Sequence, residues 1–448
     1  MNGSNLLSPL SHPNFDDHGE VMGSRNLEDV PEEDSPLSPN SRGSRKAPSV
    51  RTLGRTNSGG ESSPVLRSNS KLSSSTPGSA SSSTTNLKES SVSLKSKGSS
   101  GTLRKPRSSA KLQQQQEPEP DAPSAPSTSL YWSKAPSFGA MPTRIMRAHT
   151  VTLVETTQAW LFGGCDDKEC STDVFLFDVD TLHWSRVDTI GDRPPPSRAH
   201  TTTAVDRKLV VFGGGQGSTY SDAVYVFDTV TRRWSRPMIT GPRPPPRRAH
   251  TSVYYRGKIY VFGGGNGMTA LNDVWTLDVT NTGRMEWQEV QTGGRKPGHR
   301  GYHTANLVGN IMIVVGGSDG RDCFNDIWCL NLDTLQWSNL PLDTAHRRLS
   351  HTSTQIGSYL FIIGGHDGSQ YRRDLLLFNL VTLAYEPGTA LGRAPGPRGY
   401  HVSLVSDSRL FLFGGFSGSA PFDEVYILDL AAAAYLPQVT QFDILLPD

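Results

Sequence analysis

The sequence predicts an all-β fold, a six-bladed propeller of four-stranded antiparallel blades over residues 129–448, carried behind a Ser/Pro-rich stretch, residues 1–128, expected to be disordered. Three observations lead there. An apolar run ending in Gly-Gly recurs six times, at Gly163-Gly164, Gly213-Gly214, Gly263-Gly264, Gly316-Gly317, Gly364-Gly365 and Gly414-Gly415, with spacings of 50, 50, 53, 48 and 50 residues. A histidine opens each unit (His149, His200, His250, His303, His351, His401). An aromatic closes it (Trp184, Trp234, Trp287, Trp337, Tyr385, Tyr435). A long repeat kept in phase is the mark of one supersecondary unit stacked many times, because a single such unit cannot bury its apolar faces alone. The repeats run approximately over 147–196, 197–246, 247–299, 300–347, 348–397 and 398–448.

Within the third unit the strands read directly as His250 to Tyr255, Lys258 to Gly264, Asp273 to Val279 and Glu286 to Thr292. Each is rich in β-branched and aromatic residues and bounded by turn formers. Between third and fourth strands, Asp178 with Thr181, Asp228 with Thr231 and Asn331 with Thr334 place short polar side chains where they can hold a hairpin loop. The paired glycines sit where the second strand ends and the chain must turn. A phosphate loop is not indicated, since no helix pattern or Lys-Ser/Thr follows them.

Residues 1–128 differ in kind. Phe15 is the only aromatic before Tyr131, and a Ser-, Pro- and Gly-rich chain buries too little apolar surface to offset its ordering entropy. Residues 1–40 carry eight acids against Arg25, whereas residues 41–111 carry fourteen Lys and Arg against Glu61 and Glu89. Such a basic block is either solvated or in weak contact with a membrane surface or an acidic partner. Ser8-Pro9, Ser35-Pro36, Ser38-Pro39, Ser63-Pro64 and Thr76-Pro77 are candidate phosphorylation sites. The net charge of +1 argues against a general nucleic-acid binder. No secretory signal or transmembrane run is visible, so a cytoplasmic location is expected, with Cys165, Cys170, Cys323 and Cys329 as reduced thiols.

The Gly-Gly pair, the Asp-Val-Trp or Asp-Val-Tyr strand and the Trp six residues after its Asp together resemble kelch repeats, over about Leu130 to Asp448. The layout of a propeller behind a long Ser-rich tail is similar to that of fungal cell-end and polarity kelch proteins and Ras-pathway kelch regulators. The resemblance implies a protein-interaction scaffold that binds a partner on the propeller's loop face, in polarity or small-GTPase signalling at the cell cortex.

A propeller must join its last blade to its first or leave two open sheet edges. Leu130-Tyr131-Trp132-Ser133 repeats the texture of a closing strand, whereas the sixth unit runs into Ala431 to Ala434. The expectation is that the N-terminal strand completes blade six, with a short helix over Ala431 to Gln438 and a packed segment over Phe442 to Leu446. The alternative places Tyr435 on a true fourth strand and leaves Trp132 to start a partial seventh blade.

The candidate binding residues lie on the loops that join blades and on those after the Gly-Gly pairs. Units one to three read Arg147-Ala148-His149, Arg198-Ala199-His200 and Arg248-Ala249-His250. Units four to six set Arg300, Arg348 and Arg398 one residue further from the histidine, with Tyr302 and Tyr400 between in units four and six. A one-residue shift on a strand reverses side-chain direction, so the two halves should present arginine differently. Two readings are open: the arginines brace blades against Asp273, Asp326, Asp374 or Glu424, or they form an electropositive mouth for an acidic or phosphorylated peptide. Tyr220, Leu271, Phe324, Tyr371 and Phe422 either cap a neighbouring blade or act as anchors beside them.

Catalysis is the rival class. Galactose oxidase-like enzymes and other metal-dependent propellers share the repeat, but no Cys, paired Tyr and paired His stand grouped outside the repeat positions. Glu169 and Asp173 have the spacing of an iron triad, with Phe177 in place of the histidine. The six histidines belong to different blades and should not converge on one ion. No catalytic residue, metal or cofactor is expected. Pro194-Pro195-Pro196 and Pro244-Pro245-Pro246 are read as rigid spacers.

Overall fold

The computed structural model describes residues 130–142, 147–166, 168–430, 442, 444 and 446. Among these, every regular element is a β-strand, and none forms a helix long and apolar enough to cross a membrane. Blade three shows the unit: Thr251–Tyr255, Lys258–Gly265, Ala270–Asp278 and Arg284–Val290 pair in succession, each antiparallel to the last. Six such sheets form a ring, with the first strands of neighbouring blades side by side from Thr150–Val154 round to Val402–Ser406 and back.

The ring closes as expected. Leu130–Lys134 runs antiparallel to Val425–Asp429, with Tyr131 opposite Asp429 and Trp132 opposite Leu428, and so supplies the fourth strand of blade six. Leu130 and Trp132 are buried there with Tyr359, Phe361 and Leu410. The helix expected over Ala431–Gln438, Tyr435 and the stretch 1–128 lie outside the described residues. Phe442, Ile444 and Leu446 pack half-buried on the core shared by blades four and five.

One element was not foreseen. In five blades a short strand from the connection leading into the blade, such as Ile190–Gly191, lies parallel to the outer strand, here Arg233–Ser235. It covers the edge that would otherwise be open. Gly191, at φ 89°, is obligatory there, because a Cβ would run into the Trp234 carbonyl. Among the described residues blade five lacks this strand, and Ala384–Glu386 ends its sheet.

The core is built between blades. Aromatic residues of one second strand meet the closing Trp of the next blade: Phe162 with Trp234, Phe212 with Trp287 and Phe262 with Trp337, at 4.7–5.0 Å between ring centroids. The expected turns form as well, with Asp178, Asp228 and Asn331 accepting from the backbone N–H of Thr181, Thr231 and Thr334 at 2.8–3.0 Å.

Candidate functional site

The residue before each repeat histidine adopts a left-handed backbone: Ala148, Ala199, Ala249, Tyr302, Ser350 and Tyr400, with φ of 54–58°. Each donates its N–H to the carbonyl of its counterpart one blade back, from Ala199 to Ala148 and round to Ala148 to Tyr400, at 2.8–3.0 Å. The six bonds close on themselves around the axis. Side chains at non-glycine left-handed positions are uncommon, and here six of them are held by one another.

That ring divides the arginines. Arg147, Arg198 and Arg248, from three adjacent blades, line one side of a cavity of about 30 Å³, with Tyr302 and Tyr400 on the other side. Arg147 lies over the Phe416 ring at 4.3 Å, and its buried Nε has no hydrogen-bond partner among the described residues. Arg248 lies over Tyr220 at 4.6 Å and donates to the Gly217 carbonyl. Tyr302 and Tyr400 meet edge to face at 5.8 Å. Burial pushes the Tyr371 hydroxyl up to about 12, against the pull of Arg147.

Arg300, Arg348 and Arg398 are elsewhere. They are buried and pair with Asp326, Asp374 and Glu424 of their own blades, so for them the bracing reading holds. Arg300 forms two parallel bonds to Asp326 at 2.6 and 3.0 Å and also donates to the carbonyls of Gly298 and Gly316. Blade three makes the same brace with Arg247, fully buried against Asp273, a residue the sequence reading missed because Arg248 beside it satisfied the repeat. The signal was available: each bracing arginine precedes its acid by 26 residues. The one-residue shift therefore separates two sets: Arg147, Arg198 and the buried Arg248 border the axial cavity, whereas Arg247, Arg300, Arg348 and Arg398 brace blades three to six. Phe324 and Phe422 lie on Arg300 and Arg398 at 4.4 and 3.9 Å, and so cap braces. The Leu271 carbonyl accepts from the Arg300 backbone N–H, and its side chain is half-buried. Removing one partner of a buried pair leaves a charge uncompensated, so Arg300→Ala is expected to cost about 3 kcal/mol in urea unfolding. An unchanged midpoint contradicts that role.

The histidines are structural. Nε2 of His200, His250, His303, His351 and His401 lies 2.8–3.2 Å from the hydroxyl of Thr150, Thr201, Thr251, Thr304 and Thr352 in the preceding blade. The Gly-Gly pairs make room for them. A Cβ on Gly163 would stand 2.6 Å from the His200 ring, and one on Gly214 would stand 2.8 Å from the His200 Cβ. Burial lowers the pKa of His200, His351 and His401 to about 3, and that of His250 and His303 well below the usual value. Among the described residues no group of three or more His, Cys, Asp or Glu is placed to hold a metal ion. Phe177 is fully buried in the core, and Asp173 pairs with Arg186.

One expectation is corrected. Cys165 and Cys170 form a disulfide, where reduced thiols were expected, because they face each other directly across an antiparallel bridge with Cα atoms 3.9 Å apart. The sequence leaves room for the two to approach each other across a loop, with reduced thiols the preferred reading. Cys323 and Cys329 are free and buried, their thiols pushed up to about 11 and 12 by burial.

A family model described as "FBX42, beta-propeller domain" matches residues 146–337, and one described as "KLHDC2/KLHL20/DRC7 Kelch-repeats domain" matches residues 343–443. Similar curated proteins include the acyl-CoA-binding domain-containing protein 4 of Arabidopsis thaliana, 26% identical over 47% of this chain and 23% of its own length. The host cell factor of Drosophila melanogaster is 30% identical over 16% of this chain and 6% of its own. The Kelch repeat-containing protein 2 of Saccharomyces cerevisiae is 33% identical over 14% of this chain and 8% of its own. The matches thus span a minor part of each relative.

Proposed function

Because the chain belongs to the kelch-repeat propeller family, we propose that it is a non-catalytic protein-interaction scaffold whose mouth receives an acidic or phosphorylated peptide of a partner. The observation that carries this reading is the convergence of Arg147, Arg198 and Arg248 on one cavity. A guanidinium group can make bidentate contact with a carboxylate or phosphate. Tyr302 and Tyr400 offer the opposite wall an aromatic surface for an apolar neighbour of that anion. The ligand meets charge on one side and aromatic rings on the other, which fixes its direction.

The finer reading is a scaffold at the cytoplasmic cell cortex in polarity or small-GTPase signalling, with residues 1–128 as a phosphorylated tail. It rests on the likeness of layout to polarity kelch proteins. Affinity capture with the full chain, repeated at rising salt, tests the mouth. An acidic partner is expected to be retained at low salt and lost as salt rises, and to be absent with Arg147→Ala/Arg198→Ala/Arg248→Ala. Equal capture by both chains refutes it.

A further inference from the structure

Among the described residues blade five is the one without an edge strand, and the connection that leads into it shows why. The repeat histidine lies sixteen positions after the closing aromatic residue in the connections from Trp184, Trp234, Trp287 and Tyr385, whereas His351 lies fourteen after Trp337. Each edge strand of the other blades carries, or ends beside, a glycine whose Cβ would meet the carbonyl of a closing Trp: Gly139, Gly191, Gly241, Gly294 and Gly392. No glycine stands between Trp337 and His351.

The acceptors for such a strand are nevertheless in place. In blades one and two the edge strand donates to the carbonyls of Leu182 and Trp184, and of Arg232 and Trp234, at 2.8–3.3 Å. Their equivalents in blade five are Leu383 and Tyr385, and Leu383 shares the left-handed backbone of Leu182 and Arg232. Where the strand would lie there is a cavity of about 610 Å³, bounded by Leu342 and Thr344 of the connection and by Leu383, Ala384 and Tyr385 of the outer strand. Leu446 forms part of its wall. With Phe442 and Ile444 it is half-buried on the same core as Leu342, Leu383 and Tyr385. Three apolar side chains from outside the blade thus cover the rim that the connection leaves open. An extended segment laid along an open sheet edge is a recurrent mode of peptide capture, in which side-chain contacts set the specificity.

We propose that the rim of blade five is an acceptor site for an extended apolar segment, and that its occupant is residues 439–448 of this chain, seated through Phe442, Ile444 and Leu446. The site lies on an outer strand, apart from the arginine mouth, and does not depend on it.

A labelled peptide of residues 439–448, followed by fluorescence anisotropy, tests the assignment. It is expected to bind the full chain carrying Phe442→Ser/Ile444→Ser/Leu446→Ser, and to bind the parent at least about tenfold more weakly, since a tethered segment holds its own site at an effective concentration on the order of 1 mM. Adding Leu342→Glu/Leu383→Glu should abolish binding, and Arg232 at the equivalent of Leu383 shows that a blade accepts a charge there. The peptide is acidic, so the mouth is checked as well: adding Arg147→Ala/Arg198→Ala/Arg248→Ala instead should leave binding unchanged. No binding to the folded Phe442→Ser/Ile444→Ser/Leu446→Ser chain, equal binding to the parent, binding that survives Leu342→Glu/Leu383→Glu, or binding lost with the mouth arginines overturns the proposal. Should the triple serine variant not fold, Leu446→Asp alone should admit the peptide, and its failure to do so overturns the proposal equally.

Discussion

Deletion of residues 128–134 is expected to lower the melting temperature of the whole propeller, and Trp132→Ala alone to cost about 3–5 kcal/mol. Trp132 is 3% exposed and Leu130 is 4% exposed in the core between blades five and six. Without their strand, Val425–Asp429 becomes an unpaired edge and the ring opens at one joint. Aromatic residues of blades one, two, three and six pack on the next blade, so loss at one joint should propagate as a single transition. Tyr131, on the same strand but 54% exposed, provides the control: Tyr131→Ala should change stability by less than about 0.5 kcal/mol. Circular dichroism melts of the three variants decide it. An unchanged melting temperature on deletion contradicts closure by this strand.

Acidification should also destabilise the fold strongly, over a window set by the histidines. His200, His351 and His401 titrate near 3 when folded, against about 6.5 in the unfolded chain. Between those values the unfolded chain binds the additional proton, so stability is complete above about pH 6.5 and falls as pH drops. At about pH 5.5 each such histidine costs on the order of 1 kcal/mol, so that the three together cost roughly a few kcal/mol. His250 and His303 shift in the same direction and add to the loss. Asp273 and Asp326, held below the usual carboxylate range by their arginines against the opposing effect of burial, contribute only at lower pH. Urea midpoints that stay level between about pH 7.5 and 5.5 would show that these imidazoles are not held neutral by the fold.

The repeat made most of the fold legible, because a blade is a local object. His250, Gly263-Gly264 and Trp287 mark strand ends that pairing within 50 residues then realises. The closing strand was readable because Trp132 carries the texture of Trp184 and Trp234 without a blade of its own. The short parallel edge strands were not, since two or three residues such as Ile190-Gly191 have no periodicity, and their pairing depends on the next blade. At the site, the shift of arginine by one residue foretold two orientations. Assigning one to bracing required the 26-residue register to the acids, and so Arg247 was overlooked beside Arg248.

The division of the arginines into cavity-lining and bracing sets is tested most directly by two triple variants, each assayed for partner capture and for thermal stability. Arg147→Ala/Arg198→Ala/Arg248→Ala is expected to lose the acidic partner while melting within a few degrees of the parent. Arg300→Ala/Arg348→Ala/Arg398→Ala is expected to lose stability first, through its orphaned carboxylates. A mouth variant that unfolds, or one that stays folded and still captures the partner, contradicts a binding mouth built from Arg147, Arg198 and Arg248.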